Sequence, residues 1–215
     1  MPSSRGWPGS DWNGGRHQIG TVAAIRSEYL AALRRNPHAA SSSVGLAAIQ
    51  IVNHAGAIPI ALTRTSEKKQ RLHEAGAQHV IATQEQDLLA EVMRITDGNG
   101  ARVAFEPVGG PDFPKLIAAL TNQGIAYIYG ALSEGDTPIP VLEMIPKMPV
   151  VKGYSVRLVT GDVERRKAAV EYVAKGLESG ALMPVIDRTF KFDEMVEVHR
   201  YLENSGQFGK IVVTL

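Results

Sequence analysis

Short apolar runs and amphipathic stretches of about ten residues take turns from Ser43 onward, and this alternation constrains the fold more than any single motif. Val44 to His54 reads as a helix and Ile58 to Leu62 as a buried strand. Ser66 to Ala75 follows as a helix, with Ser66 placed as N-cap and Gly76 just past its end. His79 to Ala82 reads as a strand, and Asp87 to Thr96 as a helix closed by Asp97-Gly98. Arg102 to Phe105, Pro111 to Leu120 and Gly124 to Tyr129 then read as strand, helix and strand. Strands separated by helices of this length build βαβ units, so the expected class is α/β with a parallel sheet covered on both faces.

After Gly130 the rhythm loosens. Pro138, Pro140, Pro146 and Pro149 make residues 131–149 mostly loop, with room for one short helix. Val150 to Tyr154 is a strand candidate, and Asp162 to Ser179 a long helix ending at Gly180. A strand over Val185 to Phe190, a helix over Asp193 to Asn204 and a strand over Lys210 to Leu215 complete the pattern. At the other end, Gly, Pro and Ser dominate residues 1–18, which predicts an irregular tail. Val22, Ile25, Tyr29 and Leu33 recur at helical spacing with Leu30 beside them, predicting an amphipathic helix over 21–35, stopped by Asn36-Pro37.

Bulk properties narrow the function classes. Twenty-three basic residues against 22 acidic ones leave a net charge of +1, so neither nucleic acid nor an anionic membrane is an expected partner. The absence of cysteine excludes disulfides and thiolate metal sites. No two of the six histidines (17, 38, 54, 73, 79 and 199) have the spacing of a zinc-binding helix, so no metal is expected. No apolar run approaches the roughly 20 residues that span a bilayer, and Met1 to Arg16 carries no apolar core of a secretory signal. The expected location is the cytoplasm.

The stretch from Ala39 to Gln50, AASSSVGLAAIQ, carries the chemistry. In a Rossmann-type doubly wound sheet, small residues after the first strand let the backbone approach a pyrophosphate. The following helix start supplies N–H groups and a favourable dipole. Ser42, Ser43, Val44 and Gly45 fit that place, although a small-residue helix start without any ligand fits the spacing equally well. About 20 residues further on, an acid would hold the ribose hydroxyls of NAD. The sequence instead offers Thr63, Arg64 and Thr65, then Ser66, with Lys68 one turn later. A guanidinium, an ammonium and hydroxyls suit a 2′-phosphate, so the expected cofactor is NADP(H). The competing reading is a solvated basic pair.

Five short runs in order make the pattern specific: Ser41 to Gln50, Ala75-Gly76-Ala77, Phe105 to Gly110, Tyr129 to Leu132, and Phe208 to Val212. Together they resemble the zinc-independent quinone-reductase branch of the medium-chain dehydrogenase/reductases over residues 39–215. The resemblance implies that Ser42 to Gly45 line the pyrophosphate and that Thr63, Arg64, Thr65 and Lys68 hold the 2′-phosphate. It places Val108 and Gly109 at the cofactor's centre and Gly130, Ala131 and Leu132 along the nicotinamide. Phe208, Gly209 and Lys210 would close over it. The implied activity is NADP(H)-dependent hydride transfer to a small carbonyl compound, quinone or alcohol. On this reading, an atypical tail and helix occupy 1–38, the nucleotide-binding domain 39–160, and a C-terminal helix–strand segment 161–215.

Two departures bear on function. Thr83 stands where members of the branch often place a tyrosine against the adenine. Residues 1–38 resemble neither the GroES-like catalytic domain of the family nor the strand that feeds the phosphate turn, which implies a truncated form. That strand is central in the sheet and should be continuously apolar. Leu33 to His38, with two arginines and a proline, cannot fill it without buried charge and a lost ladder bond. The first strand is therefore expected to be missing, displaced or frayed. Ile186, Phe190, Phe192 and Val212 need a covering partner, either the 21–35 helix or a second chain in a homodimer.

No catalytic acid is identified. The Ser41–Ser43 triplet lacks the Gly-x-Ser-x-Gly frame of a nucleophile elbow. Glu106 reads as structural at its turn and only secondarily as catalytic; Tyr127 and Tyr129 read as strand packing. The alternative to an oxidoreductase is a non-catalytic nucleotide-binding or interaction module. A methyltransferase of related fold is disfavoured by Thr63-Arg64 at the ribose position.

Overall fold

Residues 29–31, 40–203 and 206–215 are described by the structure, a computed structural model. Strands β1 (Tyr29–Ala31), β2 (Ile58–Thr63), β3 (His79–Ala82), β4 (Ala101–Glu106), β5 (Leu120–Ile128) and β6 (Val150–Gly153) form one sheet. Its order is β3-β2-β1-β4-β5-β6 and every pairing is parallel. This is the order of a dinucleotide-binding Rossmann sheet. Helices α1 (Ser43–His54), α2 (Lys69–Glu74), α3 (Leu88–Ile95), α4 (Phe113–Ala118) and α5 (Val141–Lys147) connect the strands. The α/β class expected from the alternation is the class observed.

The sheet explains its own sequence. Four of the six β2 residues are buried, as a parallel strand covered on both faces requires. Leu46, Ile49 and Val52 recur at helical spacing and form the buried face of α1. Leu72, Val92, Leu116 and Ile117 bring α2, α3 and α4 into the same core.

The central strand is displaced, one of the outcomes expected for it. It is neither missing nor drawn from Leu33 to His38: Tyr29–Ala31 fills the slot, in register with Ile58–Ile60 on one side and paired at Leu30 with Val103 on the other. The helix expected over 21–35 is therefore not formed at 29–31; the rest of that stretch, with residues 1–28 and 32–39, lies outside the described residues. Local helical spacing lost to tertiary pairing here. Tyr29 to Ala31 belong to the uncharged run upstream of the arginines, and the central slot pairs their backbone with β2 and, at Leu30, with β4.

Smaller corrections follow from backbone pairing. The helix expected over Pro111 to Leu120 stops at Ala118, because Leu120 already pairs with Ala101 at the start of β5. The helix expected from Ser66 begins as a tight 3₁₀ turn over Ser66–Lys68 with no side-chain cap.

Beyond β6 come α6 (Arg157–Thr160) and α7 (Val163–Glu178), the latter capped by Asp162. Then β7 (Ile186–Lys191), α8 (Met195–Glu203) and β8 (Lys210–Thr214) form a separate two-stranded parallel unit. Tyr201 donates to Asp187 at 2.7 Å, and Arg188 lies over the rings of Phe190 and Tyr201. Of the apolar residues expected to need cover, Phe190 is buried inside this unit, whereas Ile186 and Phe192 stay exposed. Among the described residues no helix is long and apolar enough to cross a membrane.

Candidate functional site

Because the sheet is parallel, the turns leaving β2, β4 and β5 lie along one edge, and Ser41 and Ser42 before α1 meet them there. The strand order reverses between β1 and β4, which opens a crevice there.

At the turn that opens α1, Ser42 is the cap: its hydroxyl accepts the Gly45 N–H at 3.0 Å. The first intrahelical bond runs from the Leu46 N–H to the Ser42 carbonyl, so the N–H groups of Ser43 and Val44 precede the helical ladder. The Val44 side chain faces away, half exposed, against the apolar hollow between α1 and α7. The turn is gripped from two distant parts of the chain. Lys68 donates to the Ser41 hydroxyl at 3.4 Å and to the Gln207 carbonyl at 3.1 Å. The Gly209 N–H donates to the Ser41 carbonyl at 2.8 Å, and Ser42 bridges Gly209 in parallel. Burial holds the Lys68 pKa below its ordinary value, with the Arg71 guanidinium adding to the effect. Arg71 in turn covers the buried Phe208 ring at 4.2 Å and pairs with Asp187 at 3.6 Å. A cavity of about 310 Å³ opens beside the turn, lined by Ser42, Ser43, Gln207, Gly209 and Lys210.

At the ends of β2 and β3, two loops are zipped together. The Thr83 N–H donates to the Thr63 carbonyl at 2.8 Å and the Gln84 N–H to the Arg64 carbonyl at 3.0 Å. The Thr83 hydroxyl also donates to the Thr63 carbonyl, at 3.2 Å, so this residue spends its side chain on the loop junction. Arg64 is exposed, Thr65 half-buried beside it. A carboxylate closes the junction: Glu85 accepts the Ser66 N–H at 2.8 Å.

At the ends of β4 and β5, Glu106 is 3% exposed and accepts the N–H groups of Val108 and Gly109. Its carboxylate thereby bends the chain into a turn with left-handed Gly109 (φ 67°) and Gly110 (φ 78°). The next strand's loop closes on this turn. Leu132 and Ser133 N–H groups donate to the carbonyls of Pro107 and Val108, and the Gly110 N–H donates to the Thr137 hydroxyl at 2.8 Å. A Cβ on Gly130 would stand 2.5 Å from the Pro107 carbonyl oxygen, so only glycine allows this approach. Tyr129 stacks on Phe105 with centroids 4.0 Å apart. Burial, with the nearby Glu106 charge, pushes its phenol above the ordinary range.

The sequence-derived residues therefore gather in two groups. Ser42, Ser43, Gly45, Lys68, Phe208, Gly209 and Lys210 surround the first turn. Val108, Gly109, Gly130, Ala131 and Leu132 form the second, where the Leu132 side chain is half exposed. Thr63, Arg64 and Thr65 stand at the β2 end, but Lys68 turns from them toward Ser41. Sequence reasoning missed Ser41, Arg71, Glu85 and Gln207. An acid two residues before Val-Gly-Gly was legible as a turn-former in Glu106. No sequence signal marks Glu85, because its contact joins two loops. Among the described residues, no group of three or more His, Asp or Glu side chains is disposed to hold a metal.

The family described as zinc-binding dehydrogenase matches residues 43–175. The chain belongs to that family, within the medium-chain dehydrogenase/reductases. It is 33% identical over 178 residues to the L-threonine 3-dehydrogenase of Pyrococcus furiosus, covering 80% of this chain and 49% of that protein. It is 26% identical to the quinone oxidoreductase of Pongo abelii, over 83% of this chain and 53% of the relative. A solved NAD-dependent alcohol dehydrogenase superposes with a TM-score of 0.76 at 26% identity, covering 90% of this chain and 53% of that one. The chain thus spans about half the length of the proteins it matches.

Proposed function

We propose that the chain binds a nicotinamide adenine dinucleotide across the β1/β4 crevice, NADP(H) in preference to NAD(H), and serves hydride transfer to a small carbonyl compound, quinone or alcohol. The observation that carries this reading is the pairing of two prepared turns at one sheet edge. Ser42 has satisfied Gly45 and leaves the α1 start to an anion, with Lys68 beside it. Across the crevice, Gly109 and Gly130 bring bare backbone to the surface. Named relatives that are dehydrogenases and oxidoreductases support the same reading.

The residues present fit such a cofactor. Ser43 and Val44 N–H groups, with Lys68, suit the pyrophosphate; Thr63, Arg64 and Thr65 suit the adenosine ribose and its 2′-phosphate. Val108, Gly109 and Gly130 to Leu132 would orient the nicotinamide, and Phe208 to Lys210 would shield it from water. Bound there, a reduced nicotinamide supplies a hydride. The chain's own part is to bind, align and exclude water, and no proton donor is assigned. On this division, 39–160 forms the nucleotide-binding domain and 161–215 an accessory segment. A cytoplasmic location and a homodimer remain part of the proposal.

Titration of the purified chain with NADPH and NADH, followed by nucleotide fluorescence, tests the reading. Saturable binding of NADPH, weakened about tenfold by Arg64→Ala with NADH little changed, is expected for loss of one charge-assisted phosphate contact. No binding of either nucleotide would overturn it. Binding without turnover of any quinone or aldehyde would favour a non-catalytic binding module.

A further inference from the structure

Thr63 to Ser66, at the end of β2, contain no acid to hold a ribose diol, and Glu67 lies in the 3₁₀ turn that follows, yet the structure delivers a carboxylate to the Ser66 N–H from the neighbouring loop. We infer that Glu85 sets the choice between NAD(H) and NADP(H), an inference that rests on the proposed dinucleotide site. Its carboxylate is held at the Ser66 N–H, 2.8 Å away, immediately after Arg64 and Thr65. That N–H is one a 2′-phosphate at the β2 end would use.

The placement is built into the loop. The Glu85 and Gln86 N–H groups both donate to the Ala82 carbonyl, at 3.0 and 2.8 Å, which forms a tight turn at the end of β3. The Gln86 side-chain oxygen accepts the Ala82 N–H at 3.0 Å and the Lys69 ammonium at 2.5 Å, tying this turn to α2. Asp87 accepts the Ala90 N–H at 2.7 Å and fixes the far end of the loop as the cap of α3. Thr83 and Gln84 zip the near end onto Thr63 and Arg64. Glu85 therefore stands at the ribose position without any nucleotide present.

Charge decides what such a residue does. A carboxylate accepts hydrogen bonds from a ribose diol and repels a phosphate dianion. Arg64 attracts the dianion, while Lys68 is committed to Ser41 and Gln207. The site thus holds one residue for each cofactor: Glu85 for NAD(H), Arg64 for NADP(H). NADPH binds by displacing Glu85 from Ser66; NADH binds with Glu85 in place. Glu85 is a specificity-determining residue and takes no part in hydride transfer.

The test measures the dissociation constants of NADPH and NADH on the wild-type chain and on Glu85→Gln and Glu85→Ala. Competition by 2′,5′-ADP and by 5′-AMP isolates the adenosine half. Both variants are expected to tighten NADPH and 2′,5′-ADP and to weaken NADH, shifting the NADPH/NADH affinity ratio by about tenfold or more, the size of one hydrogen bond to a charged group. 5′-AMP should weaken with NADH. An unchanged ratio in two folded variants that still bind nucleotide overturns the role of Glu85 and leaves the dinucleotide site standing. Failure of all four probes on all three proteins removes the site and the inference together. A selective loss of NADPH binding would show that Glu85 supports the phosphate, the opposite of what is inferred.

Discussion

The two ends of the candidate site are closed by the same device and anchored in opposite ways. At the β4/β5 end, Gly130 lies against the Pro107 carbonyl, and every bond of the clasp joins loops of neighbouring strands. At the α1 end, Gly209 lies against the Val185 carbonyl, and the bonds that grip Ser41 and Ser42 come from Lys68 and from residues near the chain's C-terminal end. The first end is prepared by the sheet itself. The second depends on the β7–α8–β8 unit as well as on Lys68 and the Ser42 cap. Preorganisation at the nicotinamide end should thus follow global stability, and at the pyrophosphate end a smaller, local equilibrium.

Gly130→Val breaks this contrast at its stronger side. The new side chain meets backbone that cannot yield without separating β4 from β5, both of which run through the main core. A loss of about 3 kcal/mol or more of global stability is expected, read as a fall in the urea midpoint of the whole sheet. Glu106→Ala should follow at about 2 kcal/mol, because it strands the Val108 and Gly109 N–H groups at a buried turn. Glu106→Gln keeps an acceptor for both and should recover most of that loss. Equal losses in the two variants would mean that charge, not hydrogen bonding to the turn, is what matters.

Gly209→Val meets a carbonyl just as closely and sits at φ 111°, yet its effect should be smaller. The clash lies inside the C-terminal unit, where the Lys210 N–H donates to the Val185 carbonyl, so local unfolding that parts β8 from β7 relieves it and the loss is capped near the cost of that opening, about 1 kcal/mol. The expected signature is faster proteolysis and hydrogen exchange over 182–215, with the sheet's urea midpoint nearly unchanged. A midpoint that falls as far as in Gly130→Val would erase the distinction between the two ends.

How much of this was legible in the sequence follows the same line. The sheet's alternation, the Ser42 cap and the Glu106 turn depend on contacts close along the chain or on period, and they were readable. The central strand was legible in part: the charges and proline of Leu33 to His38 excluded it there, but helical spacing over 21–35 hid its place at 29–31, which pairing with β2 and β4 decides. The bond from Lys68 to Gln207 spans 139 positions and leaves no local signal. Glu85 is 19 positions from Ser66 and was invisible for the same reason. Periodicity reports which face is buried. It does not report which loop meets which at the sheet edge.

Lys68→Met gives the smallest effect and the sharpest view of the weaker end. Lys68 is half-buried between Ser41 and Gln207, and burial, then Arg71, lowers its pKa from 10.5. The folded chain therefore holds this proton less readily than the unfolded chain. The resulting penalty is fully present below the folded pKa, shrinks as pH rises through the window up to 10.5, and is gone above it. Urea midpoints measured from about pH 8 to about pH 10.5 should show wild type gaining on Lys68→Met as pH rises. The comparison cancels the other lysines and tyrosines that titrate in the same range. If Gly209→Val removes that pH-dependent difference, the burial of Lys68 is supplied by the docked C-terminal unit. If the difference survives, Lys68 is buried by the sheet, and the two ends of the site are more alike than their bonds suggest.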